Sequence, residues 1–291
     1  MMIRLTKVFA ALMIGTLLMS FNTDKPAYVI YSKDGKVVQF KDIVKKAKNA
    51  DVVFFGEQHN NAISHWLELE LGKELIAVKN NKVILGAEMF ESDNQLVLNE
   101  FLSGSILEKK FEDDCRLWPN YKTDYKPLVK LAEKNKIPFI ATNIPRRYAS
   151  VVYKKGFEGL DGLSDEAKRY IAPLPIKYDP EQDAYKSMMN MGGMPAHLTV
   201  NLPKAQAAKD ATMAYFIKQN LKKDYTFIHY EGAYHSDKYQ GIIYYLNQYQ
   251  PNLNMVTITT VTSDDLSQLS DEDKAKADFI IVVDENLTTT Y

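Results

Sequence analysis

Six short apolar runs, rich in β-branched and aromatic residues, recur along this chain, and helical material follows most of them. They are "DVVFF" (51–55), "KVILG" (82–86), "IPFIAT" (137–142), "YTFIHY" (225–230), "NMVTITTV" (254–261) and "DFIIVV" (278–283). The intervening "AISHWLELELGKELIAVKN" (62–80) and "YKPLVKLAEKNK" (125–136) carry apolar residues at helical spacing. Strands that are apolar on both faces and alternate with helices require a sheet covered on both sides. The pattern predicts an α/β fold of three layers, with a mostly parallel sheet and helices on both faces.

Two further segments qualify this plan. Before the first run, "AYVIYSKDGKVVQF" has two β-rich stretches around Asp34-Gly35, the signature of a hairpin closed by a type I′ turn. Between Thr142 and Tyr225 no strong strand appears, and the segment holds "GLSDEAKRYIAPLPIKYDP", "SMMNMGGMPAH" and "KAQAAKDATMAYFIKQNLKK". This predicts a helical insertion or cap over about 150–220, within one α/β domain spanning 23–291.

Residues 1–22 stand apart. Arg4 and Lys7 precede the apolar "VFAALMIGTLLMS", and a polar stretch follows. A basic start, a short greasy core and a polar exit form the plan of a signal peptide. The alternative is an N-terminal anchor helix, for which a core of about 13 residues is short. Export to a periplasmic or membrane-associated location is the expectation. No cysteine lies near this end to carry a lipid, and with Cys115 the only cysteine, no internal disulfide can form. A net charge of −1 gives no global field to recruit nucleic acid.

The chemistry-bearing residues fall at strand ends. In an open parallel sheet, ligands bind outside the carboxyl ends of the strands. The first run ends in Glu57 and His59, the second in Glu88, the third in Asn143, Arg146 and Arg147, and the fourth in Glu231 and His235. Two ends share the form G-x-x-H, at Gly56–His59 and Gly232–His235. Glycine there lets the chain leave a buried strand, through special dihedrals or a close backbone approach. Asn60 or Asn61 can cap the next helix, with His65 in its first two turns.

Convergent Glu and His have three uses. They can ligate a divalent metal, with Glu57, His59, His65 and His235 as the donors. They can act as a general base with its orienting partner, giving a hydrolase that uses Glu57, His59 and His235. They can hold a large ligand, with Arg146 and Arg147 pairing its carboxylates. H-E-x-x-H, G-x-S-x-G, phosphate-loop and dinucleotide fingerprints are all absent.

Weaker features rank below these. His229 alternates with Phe227 and Glu231 along a strand, as an interior histidine would. Met188, Met189, Met191 and Met194 with His197 suit copper(I) or a soft apolar pocket, but a cap packing its own methionines is the simpler account. Tyr230, Tyr234 and Tyr239 cluster around His235, and tyrosinate can ligate haem iron, although tyrosine is also a common packer. Asp210 interrupts a helix face of small and apolar residues.

Taken in order, "DVVFFGEQHNNAISHWLELELGKEL", "LGAEMFESDNQ", "LSGSI", "YKPLVKLAEKNKIPFIATNIPRR", "KAQAAKDATMA" and "EGAYHSDKYQGI" resemble the ChaN-like haem-binding proteins. That family belongs to the superfamily that also holds the Tiki proteases and erythromycin esterases. The resemblance implies an α/β fold, a site drawn from Glu57, His59, His65, Glu88, Arg146, Arg147, Asp210 and His235, and tyrosine or histidine contacts to the haem, for which Tyr234, beside His235, is the tyrosine candidate. It also implies haem as cofactor, export, and a place in iron uptake with outer-membrane haem-uptake machinery as partner. A large flat ligand can bridge an isologous contact, so a homodimer is a natural partner arrangement. Members often carry a lipoprotein cysteine; its lack here puts membrane anchoring in question.

Overall fold

Every one of the six apolar runs becomes a strand, and the central ones are buried on both faces. A computed structural model describes residues 25–189 and 200–290. The strands are β1 (Tyr28–Ser32), β2 (Val37–Val38), β3 (Val52–Glu57), β4 (Val83–Glu91), β5 (Phe139–Asn143), β6 (Thr226–Gly232), β7 (Met255–Ser263) and β8 (Phe279–Asp284). They form one eight-stranded sheet in the order β2-β1-β8-β7-β3-β6-β4-β5. The pairs β4–β5, β4–β6, β6–β3, β3–β7 and β7–β8 are parallel, whereas β1 joins β8 and β2 in antiparallel fashion.

Strand β3 explains the apolar runs. Val53 and Phe55 enter one core, with Leu67, Leu71 and Leu75 of the helix Ala62–Val78. Val52 and Phe54 enter the other, with Ala207, Ala208 and Ala211 of the helix Leu202–Asn220. Each such Val, Leu or Phe contributes about 1.5–3 kcal/mol through burial. The helices Phe40–Ala47, Gln95–Leu102, Glu108–Asp114 and Lys126–Asn135 share the first face. The helices Arg146–Lys155 and Ile242–Tyr249 share the second. Within the segment between β5 and β6, the helix Leu202–Asn220 packs small side chains, Ala205, Ala207, Ala208, Ala211 and Ala214, into this second core.

The Asp34-Gly35 turn differs from the expected type I′ form. Ser32 N–H donates to the Lys36 carbonyl at 2.9 Å, which leaves three residues in the loop, and Gly35 takes φ +73° whereas Asp34 is not in the positive-φ region. A type I′ turn needs positive φ at both central residues, and a three-residue loop needs it only at its glycine.

Strand order decides where ligands can enter. The chain leaving β3 crosses the first face to reach β4, and the chain leaving β6 crosses the second face to reach β7. Neighbours whose connections depart in opposite directions open a crevice at their carboxyl ends. The two G-x-x-H motifs end these two neighbours.

Candidate functional site

The motifs interlock. Glu57 pairs in register with Gly232, and Gly56 with Glu231. A Cβ on Gly56 would come within 2.8 Å of the Ala233 α-carbon, and one on Gly232 within 2.8 Å of the His59 ring. Both glycines have ordinary backbone dihedrals, so close approach, and not a special turn, requires them.

Two buried knots of charge lie side by side beyond these strand ends. In the first, Glu57 is 2 % exposed. Its Oε1 accepts from His59 Nδ1 at 2.5 Å and from the Tyr125 hydroxyl at 2.8 Å. Its Oε2 lies 2.9 Å from His65 Nδ1. His65 Nδ1 also lies 3.2 Å from Glu68 Oε2, and its Nε2 donates to the His59 carbonyl at 3.1 Å. Asn61 caps the helix that carries His65 and Glu68, accepting from Ile63 N–H and Ser64 N–H. Burial works against a charge on His65, but hydrogen bonds and charges from Glu57 and Glu68 outweigh it and push its pKa up to about 11. Burial likewise works against ionised Glu57, yet the bonds from His59 and His65 hold its pKa below the ordinary value. Burial and the Glu57 charge lift Glu68 well above the ordinary range.

In the second knot, His235 places Nε2 3.1 Å from Glu88 Oε1, and its Nδ1 donates to Asp210 Oδ1. Gly232 N–H donates to Glu88 Oε2 at 2.9 Å, and the Tyr185 hydroxyl donates to Asp210 Oδ2 at 2.7 Å. Burial disfavours the imidazolium, but Glu88 and Asp210 raise its pKa to about 10. Burial of Glu88 is outweighed by the His235 charge, and its carboxyl is held far below the usual range.

A cavity of about 1190 Å³ opens over these knots. His59, Glu88, Asn143, Arg146 and Arg147 line it, as do the loop Cys115–Asn120 and Lys209. Trp118 sets its ring edge-on to His59 at 5.0 Å, and Leu117, Ile144 and Ala149 extend the apolar wall. Arg116 and Arg147 are both tied to Asp93, and Arg116 also to Glu91. Among the described residues, Arg146 and Lys209 form no ion pair.

The expected site residues therefore divide. His59, Glu88, Arg146 and Arg147 reach the cavity. Glu57, His65, Asp210 and His235 lie buried beneath it or beside it. Tyr234 stands away from the cavity, its hydroxyl held by Ser187 and the Ala184 carbonyl. His235 does not share a donor cluster with Glu57 and His65. Glu231, expected at the rim, is fully buried and faces His229 at 2.8 Å. Burial drives the His229 pKa down to about 3 and that of Glu231 well up, so this pair is an interior one. Met191, Met194 and His197 lie outside the described residues.

Several participants carried no clear sequence signal. Glu68 stands one helical turn after His65, and that spacing was readable. Trp118 and Asn120 come from irregular chain after the helix Glu108–Asp114, where no periodicity marks them, and Asp124 and Tyr125 from the wide helical turn Tyr121–Tyr125 that leads into the helix Lys126–Asn135. Lys209 was visible only as one more helix cation.

Fold and site define a doubly wound α/β protein with a cation-rimmed cavity over buried His–carboxylate knots at its topological switch point. The chain belongs to the family described as haem-binding uptake, Tiki superfamily, ChaN, which matches residues 43–246. Among solved structures it is similar to the ChaN of Campylobacter jejuni, described with cofacial haem binding. That likeness has 18% identity and a TM-score of 0.70, over 91% of this chain and 99% of that one. A looser likeness is to the type III effector HopBA1, at 16% identity and a TM-score of 0.47 over 85% of this chain and 94% of that one. Another is to a Bacillus cereus protein, at 11% identity and a TM-score of 0.49 over 85% and 92%. None of the curated proteins matches in sequence.

Proposed function

We propose that this protein binds haem in the cavity above the paired G-x-x-H motifs and serves, after export, in haem or iron uptake. The supporting observation is the cavity wall itself. It joins an apolar face of Leu117, Trp118, Ile144 and Ala149 to one accessible imidazole, His59, and to the cations Arg116, Arg146, Arg147 and Lys209. A flat apolar macrocycle with two carboxylates needs that combination. Family membership over 43–246 points the same way. Glu57, His65, Glu88, Asp210 and His235 would act through position and charge, since they are buried and engaged with one another.

Export rests on the N-terminal pattern, and no described helix is long and apolar enough to cross a membrane. A periplasmic or membrane-associated location, outer-membrane haem-uptake partners and a homodimer sharing the open cavity belong to the same proposal. Titration with hemin should give a saturable Soret shift. Substituting Arg146 and Lys209 together by Ala should weaken binding by about ten- to hundredfold, the weight of charge-assisted bonds. A wild-type protein without saturable binding would refute the proposal.

One observation favours a second reading. The His59 ring reaches the cavity while buried Glu57 holds its Nδ1 at 2.5 Å, an arrangement suited to a general base in a hydrolase. His235, at 4 % exposure, would then support and not attack. Ester or peptide hydrolysis that disappears in His59→Ala, with or without added divalent metal, is the outcome this reading requires.

A further inference from the structure

Glu57, His65 and Glu68 sit below the cavity floor with exposures of 2 %, 7 % and 0 %. One donor atom from each lies within 4.8 Å of the others. We propose that these three residues form a site for a divalent first-row metal ion, distinct from the haem cavity and independent of haem binding.

The hydrogen-bond pattern carries the argument. Oε1 of Glu57 is occupied by two donors, His59 Nδ1 and the Tyr125 hydroxyl, which leaves Oε2 turned toward His65. Oε1 of Glu68 is buried with no hydrogen-bond partner, and Oε2 of Glu57 has His65 alone beside it, at 2.9 Å. His65 donates Nε2–H to the His59 carbonyl, the arrangement by which a metal-bound imidazole is oriented through its other nitrogen. Its Nδ1 is thereby aimed at two carboxylates, Glu57 at 2.9 Å and Glu68 at 3.2 Å. Two carboxylates in one dry pocket need a cation between them; the imidazolium of His65 supplies it in the metal-free chain, and a metal ion would take the place of the Nδ1 proton, which is released on binding. Asp124, 3.5 Å from His65 Nε2, adds a further anion to the shell, held by Asn120 and Thr290.

The neighbouring knot supplies the contrast. There each nitrogen of His235 has its own carboxylate, while Gly232 N–H and the Tyr185 hydroxyl take the remaining oxygens of Glu88 and Asp210. None of those carboxylate oxygens is orphaned. Full pairing leaves no donor for a metal, so the site falls to the first knot alone. One imidazole nitrogen with two carboxylates suits Mn²⁺, Fe²⁺ or Zn²⁺; copper(I) prefers thioether or thiolate, and calcium prefers an all-oxygen shell.

The test is a calorimetric titration of chelator-treated, haem-free protein with MnCl₂ and with ZnCl₂, followed by metal analysis after desalting. One ion per chain is expected. Glu68→Gln and His65→Gln should each weaken binding by more than about tenfold, since loss of even an outer-shell partner costs that much. Glu70→Gln, on the same helix but paired outward with Lys73, should bind as the wild type does. Wild-type protein that takes up no ion at millimolar metal overturns the proposal, because the pocket then holds shared protons only. Binding that is equal in wild type and Glu68→Gln, with the variant's far-UV dichroism unchanged, overturns it as well. The wild-type titration decides the matter even if a variant fails to fold, and hemin affinity plays no part in it.

Discussion

The ring of His59 rests directly on the backbone of Gly232, at the place where any side chain at that position would begin. One G-x-x-H histidine therefore lies on the other motif's glycine. Gly232→Ala should displace the His59 ring and strain the β3–β6 edge, at about 1–3 kcal/mol for overpacking. Chemical denaturation should record that loss, and hemin titration should show weakened binding. Unchanged affinity would mean that the position of His59 does not matter to the ligand.

Stability should depend on pH through the second knot. His235 titrates near its ordinary value of 6.5 when unfolded and near 10 when folded, because Glu88 and Asp210 outweigh burial. A raised folded pKa stabilises fully below the unfolded value, and the gain is lost as pH rises through the folded one. The His65 pKa, pushed up to about 11, has the same sign. Urea midpoints should therefore fall between about pH 6.5 and 10, with a shallower slope in Glu88→Gln. A flat wild-type profile over that window would contradict the assignment.

Asp93 ties Arg116 and Arg147 together at the cavity edge. Asp93→Asn should release both guanidinium groups toward an anionic ligand. Hemin affinity is expected to rise by a few-fold and to become more sensitive to salt. The two arginines are about half exposed, so folding stability should change by less than about 1 kcal/mol. Weaker hemin binding would show that the bridge positions the arginines usefully.

Asn61 closes the first turn of the helix bearing His65 and Glu68 by accepting from two backbone amides at 3.0 Å. Asn61→Ala should cost about 1 kcal/mol, the usual weight of an N-cap. Thermal melting would measure it. Amide exchange at Ile63 and Ser64 should accelerate before the rest of the helix.

The local pattern was enough to find the six main strands, because strands such as β3 are buried on both faces and must be apolar throughout. It also marked Glu57, His59, Glu88 and His235 as strand-end groups. It misjudged Glu231, since alternation along β6 does not reveal that the strand stays buried to its last residue.

What the sequence determined alone was the layered α/β plan and the two glycines after which the chain leaves the sheet, for both follow from periodicity within a few residues. What tertiary structure decided was partnership. Strand β6 inserts between β3 and β4, which brings Gly232 against His59 and Glu88 against His235 across more than a hundred residues of chain. The same packing separates Glu57, His65 and Glu68 from His235, turns Tyr234 away, and builds a cavity wall from Trp118 and Lys209. Burial and charge pairing depend on what lies opposite in space, and no spacing along the chain encodes that.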